Sequence, residues 1–270
     1  MHGKKFWDFK IIMNNDNVKY AVLGSGSSAN SYIFEYNDFA IIIDNGFSAK
    51  QAVERAVKLG FNTENVKYLL LTHSHEDHFR GIEVLSRKLR VPVIVHEDLN
   101  VNRKLKTHFY KRRDIQPGLF YTEGDFRFRA FQTSHDADYS ISYHFELGGL
   151  VFTIISDTGA VSEEMLELAS KSDILFLEAN YNEKMLHEGP YPLFLKQRIA
   201  SNQGHLSNTE AVHFLNEAGM REGSKLTKVY FCHLSSTNNT PAILTADIEE
   251  HLQWPGEWVI CRKGEPVACN

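Results

Sequence analysis

The segment Leu69-Leu70-Leu71-Thr72-His73-Ser74-His75-Glu76-Asp77-His78 constrains this chain more than any other. An apolar run leads directly into three imidazoles and two carboxylates, the pattern of a buried strand that ends in a metal site. Strand alternation places His73 and His75 on one side, within reach of a single ion. The turn that follows can swing Asp77 and His78 toward a second ion about 3.5–4 Å away, the separation found in two-metal hydrolases.

The surrounding pattern is mixed α/β. Tyr20–Leu23, Ser31–Tyr36 and Phe39–Asp44 read as strands around a glycine/serine turn, Gly24-Ser25-Gly26-Ser27-Ser28-Ala29-Asn30, and a hairpin at Asn37-Asp38. Apolar residues at helical spacing from Ser48 to Leu59 stop at Gly60, a fitting helix end. A helix over Gly81–Leu89, a strand at Val91–Val95 and a helix-like stretch near Asp98–His108 follow. The second half repeats this grammar. Ala40–Gly46 and Phe152–Gly159 are both apolar strands that end in an aspartate and a glycine turn, and a helix follows each, Ser162–Ser170 in the second case. Strands at Ile174–Glu178 and Lys228–His233 also finish on polar residues. Two βα-rich halves are therefore expected to face each other, with functional groups at strand ends.

The 270 residues are expected to form one compact domain over residues 18–270, with residues 1–17 as an N-terminal extension. The apolar stretch near Phe6–Ile12 is too short and charged for a secretory signal, and no run approaches the roughly 18 apolar residues of a membrane span. The three cysteines, Cys232, Cys261 and Cys269, form no CxxC pair and are too few and too far apart for a disulfide framework, and Cys232 suits either a buried thiol or a ligand next to His233. These features point to a cytoplasmic protein with no membrane association and no obligate protein partner. A net charge of −5 argues against a uniformly basic nucleic-acid binder.

Further potential ligands recur at strand ends: Asp44, His135, Asp157 and His233. Each alone fits a cap or a satisfied turn residue. Together with the histidine turn they supply what two divalent ions require. The expected arrangement gives His73, His75 and His135 to one ion and Asp77, His78 and His233 to the other, with Asp157 bridging. Asp44 serves as outer support that orients His73 or its neighbours. Such a pair of cations acidifies a bridging water and stabilises charge growing on the attacked group. Zinc, manganese and iron all suit these ligands.

Thr72-His73-Ser74-His75-Glu76-Asp77-His78 resembles the T-H-x-H-x-D-H signature of the metallo-β-lactamase superfamily, and Asp44, His135, Asp157 and His233 follow in the order of its other motifs. The resemblance spans about residues 20–245 and implies a four-layer αββα sandwich of two similar halves. Leu177–Leu186, Gly204-His205-Leu206-Ser207-Asn208 and Cys232–Pro241, with the Gly24–Asn30 turn, are similar to the bacterial WalJ/YycJ group of DNA exonucleases. That similarity implies a DNA substrate and a 5′-to-3′ exonuclease that uses a metal-bridged hydroxide, with Asp77 and His205 in the catalytic machinery. His205 would contact the scissile phosphate and protonate the leaving oxygen. The interval between Asp157 and His233 is too short for the inserted cap domain of the larger nucleases of the superfamily.

Other phosphate or DNA contacts are expected from residue chemistry. Ser207 and Asn208 begin a helix over Thr209–Ala218 and form either a phosphate seat or a plain helix cap. Ser235, Asn238 and Asn239 suit a terminal phosphate or a turn. Arg103–Arg113, which includes Arg112 and Arg113 and the interleaved Phe109 and Tyr110, suits either a DNA backbone and an unpaired base or a solvated helix face. The rival reading of the whole chain is a hydrolase of small esters, thioesters or lactones on the same metal centre.

Overall fold

The computed structural model describes residues 18–99 and 108–269. Its fourteen strands form two seven-stranded sheets. The first is ordered β14 (Val267–Cys269), β1 (Val18–Gly24), β2 (Ser31–Tyr36), β3 (Phe39–Ile43), β4 (Val66–Leu70), β5 (Pro92–His96) and β6 (Lys111–Ile115). The second is ordered β13 (Glu257–Ile260), β12 (Lys228–Cys232), β11 (Ile174–Glu178), β10 (Leu150–Ile155), β9 (Ile141–Leu147), β8 (Phe126–Gln132) and β7 (Phe120–Glu123). Each sheet joins an antiparallel meander to a run of parallel strands. The meander is β1–β2–β3 in the first and β8–β9–β10 in the second. The parallel runs start at β3 and β10.

The sequence alternation explains why the sheets stack. Tyr20, Val22, Phe34 and Ile41 meet Phe126, Phe145, Phe152 and Phe176 between the two sheets. The intervening residues of the same strands face outward and are also apolar, so each sheet needs a second cover. On the first sheet, Ile33, Ile42 and Leu69 pack against α1 (Ala49–Lys58) and, beyond the short helix α2 (Glu76–Phe79), against α3 (Ile82–Leu89). On the second, Leu175, Leu177 and Phe231 pack against α4 (Glu163–Ser170). Two short helices follow, α5 (Glu183–Glu188) and α6 (Leu193–Ile199), and then α7 (Asn208–Gly219) and α8 (Pro241–His251), which also cover this sheet. The result is the expected mixed α/β sandwich with helices outside two central sheets.

The expected elements of the first half fall where the pattern placed them. Residues 100–107, which make up most of the helix-like stretch near Asp98–His108 and the start of the basic run, lie outside the described residues, as does the segment 1–17. The end of the basic run is not a helix face: Lys111–Ile115 is the edge strand β6. Among the described residues no helix is long and apolar enough to cross a membrane.

Because β1 and β3 run the same way, as do β8, β10, β11 and β12, the loops after all of these strands open on the carboxyl ends of their sheets. Two bonds register the sheets at that edge. The Tyr143 hydroxyl donates to Leu71 O at 2.8 Å, and the His233 amide donates to Ser25 Oγ at 2.6 Å.

Candidate metal centre

Every histidine and aspartate of the expected ligand set reaches this edge. His73 and His75 follow β4, and His75 caps the start of α2, whose single turn carries Asp77 and His78. Asp44, Asp157 and His233 sit just after β3, β10 and β12, each with φ between 57° and 58°. That left-handed conformation is uncommon for a residue with a side chain. It turns the chain sharply out of the strand, so that the side chain points across the edge instead of along the sheet face. Gly46 makes room beside it: a Cβ there would lie 2.0 Å from Asp77 O.

The donor atoms collect in overlapping sets. Those of His73, His75 and His135 lie within 4.8 Å of one another, and so do those of Asp77, His78 and His233. Asp157 stands between the sets. Its Oδ2 is 3.1 Å from His78 Nε2, and its Oδ1 is 3.6 Å from His233 Nε2 and 3.7 Å from His135 Nε2. Two further sets cut across these groups, His73, His78 and Asp157, and Asp157, Glu178, His205 and His233.

The outer bonds orient the rings. His135 Nδ1 donates to Gly204 O at 3.0 Å, which leaves Nε2 to the centre. Asp44 Oδ2 holds His78 Nδ1 at 2.7 Å and accepts the Thr72 hydroxyl at 2.7 Å, and Thr72 Oγ1 lies 2.9 Å from His73 Nδ1. Asp44 therefore supports His78 directly and His73 through Thr72.

Two residues of this shell escaped the sequence reading. Glu178, the last residue of β11, is fully buried; its Oε2 is 3.1 Å from His205 Nδ1 and 3.3 Å from His233 Nδ1. Asn30 places Nδ2 3.0 Å from Asp77 Oδ2 and 2.9 Å from His78 Nε2. A charged residue closing an apolar strand was the available signal for Glu178. For Asn30 it was the glycine/serine turn.

Electrostatics show that this edge needs positive charge. Burial pushes the Asp157 and Asp77 carboxyls up, but the neighbouring His78 and His233 outweigh it and hold both well below the usual carboxylate range. Glu178 is likewise raised by burial yet brought down to about 2 by His205 and His233. His78 and His233 respond in the opposite sense: burial disfavours their charge, but Asp157 and the other carboxylates raise His78 well above an ordinary imidazole and His233 to about 10. His73 differs, since burial and the nearby His78 keep it well below the usual value and hence neutral. Its Nε2 is buried without a hydrogen-bond partner among the described residues. An unused lone pair in that position costs free energy unless an acceptor for it is present. A divalent cation supplies that acceptor and the charge that the carboxylates demand, so the donor set fits a metal.

The ligands open into a cleft of about 340 Å³ whose wall includes His205, Asn180, Tyr191, Arg198 and Ser235. Among the other expected phosphate or DNA contacts, only Ser235 reaches this wall, and its Oγ accepts from the amides of Thr237 and Asn238. The remaining ones are placed elsewhere. Ser207 forms a capping box with Glu210 at the start of α7. Asn208 and Asn239 are buried and bond each other, Asn208 also bonding Asp247. Asn238 is buried with both amide atoms unpaired among the described residues. Arg112 is held by Asp114 and three carbonyls, Arg113 pairs with Glu123 and lies over the Tyr68 ring, and neither lines the cleft. Strand pairing explains the change, because it brings acidic and carbonyl partners to side chains that a solvated helix would have left exposed.

Comparison with known proteins agrees with this geometry. The β-lactamase superfamily domain matches residues 40–233. Exodeoxyribonuclease WalJ of Streptococcus pneumoniae is 33% identical over 233 residues, covering 84% of this chain and 85% of that protein. Exodeoxyribonuclease YycJ of Bacillus anthracis is 29% identical over 242 residues, covering 88% and 90%. The crystal structure of the metallo-β-lactamase fold protein YhfI from Bacillus subtilis superposes with a TM-score of 0.70 at 20% identity, covering 93% of this chain and 99% of YhfI. With its two sheets, its ordered histidine and aspartate motifs and these relatives, the chain belongs to the metallo-β-lactamase superfamily and is a metal-dependent hydrolase.

Proposed function

We propose that this protein is an exodeoxyribonuclease that binds two divalent ions and degrades DNA in the 5′-to-3′ direction. The observation that carries the metal-dependent phosphodiesterase reading is the position of Asp157 between two histidine-rich donor sets, beside His205, which faces the cleft and is backed by the buried Glu178. The DNA substrate and exonuclease mode are supported by the relatives named exodeoxyribonuclease that align over most of the chain.

His73, His75 and His135 would hold one ion, and Asp77, His78 and His233 the other, with Asp157 shared. When bound, zinc or manganese supplies positive charge at the phosphate and acidifies the attacking water. The chain's own groups do the rest. Asp77 lines the cleft beside His233 and would align the attacking water there. Glu178 fixes Nδ1 of His205, which leaves the other ring nitrogen to donate a proton to the departing sugar oxygen. Arg198, the one fixed cation on the cleft wall among the described residues, offers a guanidinium to a substrate phosphate.

Digestion of a 5′-phosphorylated, 3′-labelled DNA duplex beside its RNA counterpart, with manganese or zinc, tests the reading. Stepwise shortening of DNA by the parent but not by Asp157→Ala is expected. Intact nucleic acid under both metals, with turnover of short esters or thioesters, would transfer the centre to small-molecule hydrolysis.

A further inference from the structure

The cleft wall contributed by α6 (Leu193–Ile199) carries a feature that the chemistry above does not use. Leu195, Arg198 and Ile199 line the cleft, while Phe194 is 71% exposed and Leu193 70% exposed, the two most exposed large apolar side chains among the described residues. Phe194 and Arg198 are four residues apart on this helix, so their Cβ atoms are neighbours along one face, about 5–6 Å apart. Leu193 stands roughly 100° further round, away from the cleft-lining stripe.

Arg198 is itself positioned. Its Nε bonds Asp136, the residue after His135, so the guanidinium is tethered across the mouth of the cleft with its outer nitrogens uncommitted to Asp136. A cation fixed at the cleft and an exposed aromatic one turn away match the two chemical parts of a nucleotide, a phosphate and a flat apolar base.

We propose that Phe194 is a stacking platform for an unpaired base of the substrate strand, with Arg198 holding an adjoining phosphate. The inference rests on the nucleic-acid reading of the cleft and specifies how the strand enters it: over α6, base against Phe194, backbone turned toward the metal ligands. Two features select this occupant over a protein partner. The cleft-side cation complements a phosphate, and the exposed aromatic lies one helical turn from it on α6. A strand end that is single-stranded or frayed is therefore the preferred form, since a paired base has no free face to offer.

The test compares steady-state cleavage of 5′-phosphorylated single-stranded oligonucleotides that carry either normal bases or tetrahydrofuran abasic residues at the first three positions. Parent, Phe194→Ala, Phe194→Trp, Leu193→Ala and Arg198→Ala proteins are used, each loaded with the same metal. Phe194→Ala is expected to raise KM for the normal strand about tenfold with kcat little changed, and to leave the abasic strand unaffected. Phe194→Trp should restore the parental KM, and Leu193→Ala should match the parent on both strands. Arg198→Ala should raise KM on both strands alike. An unchanged KM in Phe194→Ala, or an equal loss on normal and abasic strands, overturns the stacking role while nuclease activity stands. A parent that shortens the DNA duplex but cleaves neither single strand overturns the platform and leaves the nuclease reading standing, and a parent that cleaves neither the duplex nor the single strands overturns both.

Discussion

Glu178 and His205 form the pairing on which the proposed leaving-group chemistry depends: Oε2 of the fully buried glutamate lies 3.1 Å from Nδ1 of a histidine that faces the cleft. The carboxylate also accepts the amides of Thr158 and Leu206, so it cannot turn away from the ring. A carboxylate fixed in this way sets the tautomer and orientation of the ring. His205→Ala is expected to lower kcat by about 10²–10⁴-fold, the usual contribution of a proton donor, while metal content stays at the parental value. Single-turnover cleavage alongside elemental analysis checks both halves. Loss of metal together with activity would make His205 a ligand and not an acid.

Asp44 bonds His78 at 2.7 Å from a position that is itself almost fully buried. Its replacement by asparagine keeps the volume and removes the charge that orients the ring. Metal affinity should fall about 10–100-fold, the typical cost of deleting an outer-shell partner. Competition against a chromogenic chelator measures it, and unchanged affinity would remove Asp44 from the centre.

Asp157 touches both donor sets, so its loss should uncouple metal binding from stability. Zinc or manganese at about 100 times its dissociation constant stabilises a folded protein by about 2.7 kcal/mol per site. The parent's Tm is expected to rise on metal addition and return on chelation. Asp157→Ala should show a much smaller rise in the same thermal scans.

Ser207 provides a test that separates a cap from a phosphate contact. Its hydroxyl accepts the Glu210 amide, and the Glu210 side chain returns the bond. Ser207→Ala should cost about 1 kcal/mol in urea unfolding. Cleavage per folded molecule should remain parental, and a selective rise in KM for DNA would return Ser207 to the substrate.

His144 is expected to impose a pH dependence away from the centre. Burial, then the cations of Arg129, Lys171 and Arg127, push its imidazole down to about 4. The unfolded chain takes up a proton near the ordinary value of 6.5, while the folded protein resists doing so until pH 4. Its contribution is thus fully present above pH 6.5 and is lost as pH falls from 6.5 toward 4. Between pH 7 and pH 5 the parent should lose about 1–2 kcal/mol through this group, and His144→Gln should lose correspondingly less. Urea midpoints for the two proteins at matched metal saturation give the comparison.

Much of the candidate site was legible before any fold was built. Ligand chemistry is local in type: only histidine, cysteine and carboxylates bind such ions, and the run from His73 to His78 places five candidates within six positions. The apolar strands that end in Asp44, Asp157 and His233 were equally visible, because strand ends interrupt hydrophobic alternation. Glu178 was visible as the polar end of β11, but its role was not. That role arises only when parallel pairing sets β11 beside β12 and brings the carboxylate to His233 and His205.

The sequence by itself determined the two repeated βα halves, the donor set and the helix caps, since these follow from periodicity, residue chemistry and contacts a few positions apart. Only the tertiary structure decided which polar residues share the cleft. Asn208 and Asn239, and Arg112 and Arg113, had the chemistry of phosphate ligands, yet packing supplied them with internal partners. Arg198, in contrast, was brought to the cleft wall by α6, one turn from the exposed Phe194. The physical reason is that a polar side chain bonds whatever the fold puts within about 3 Å. That neighbour comes from strand pairing and sheet stacking, which join residues far apart in the chain.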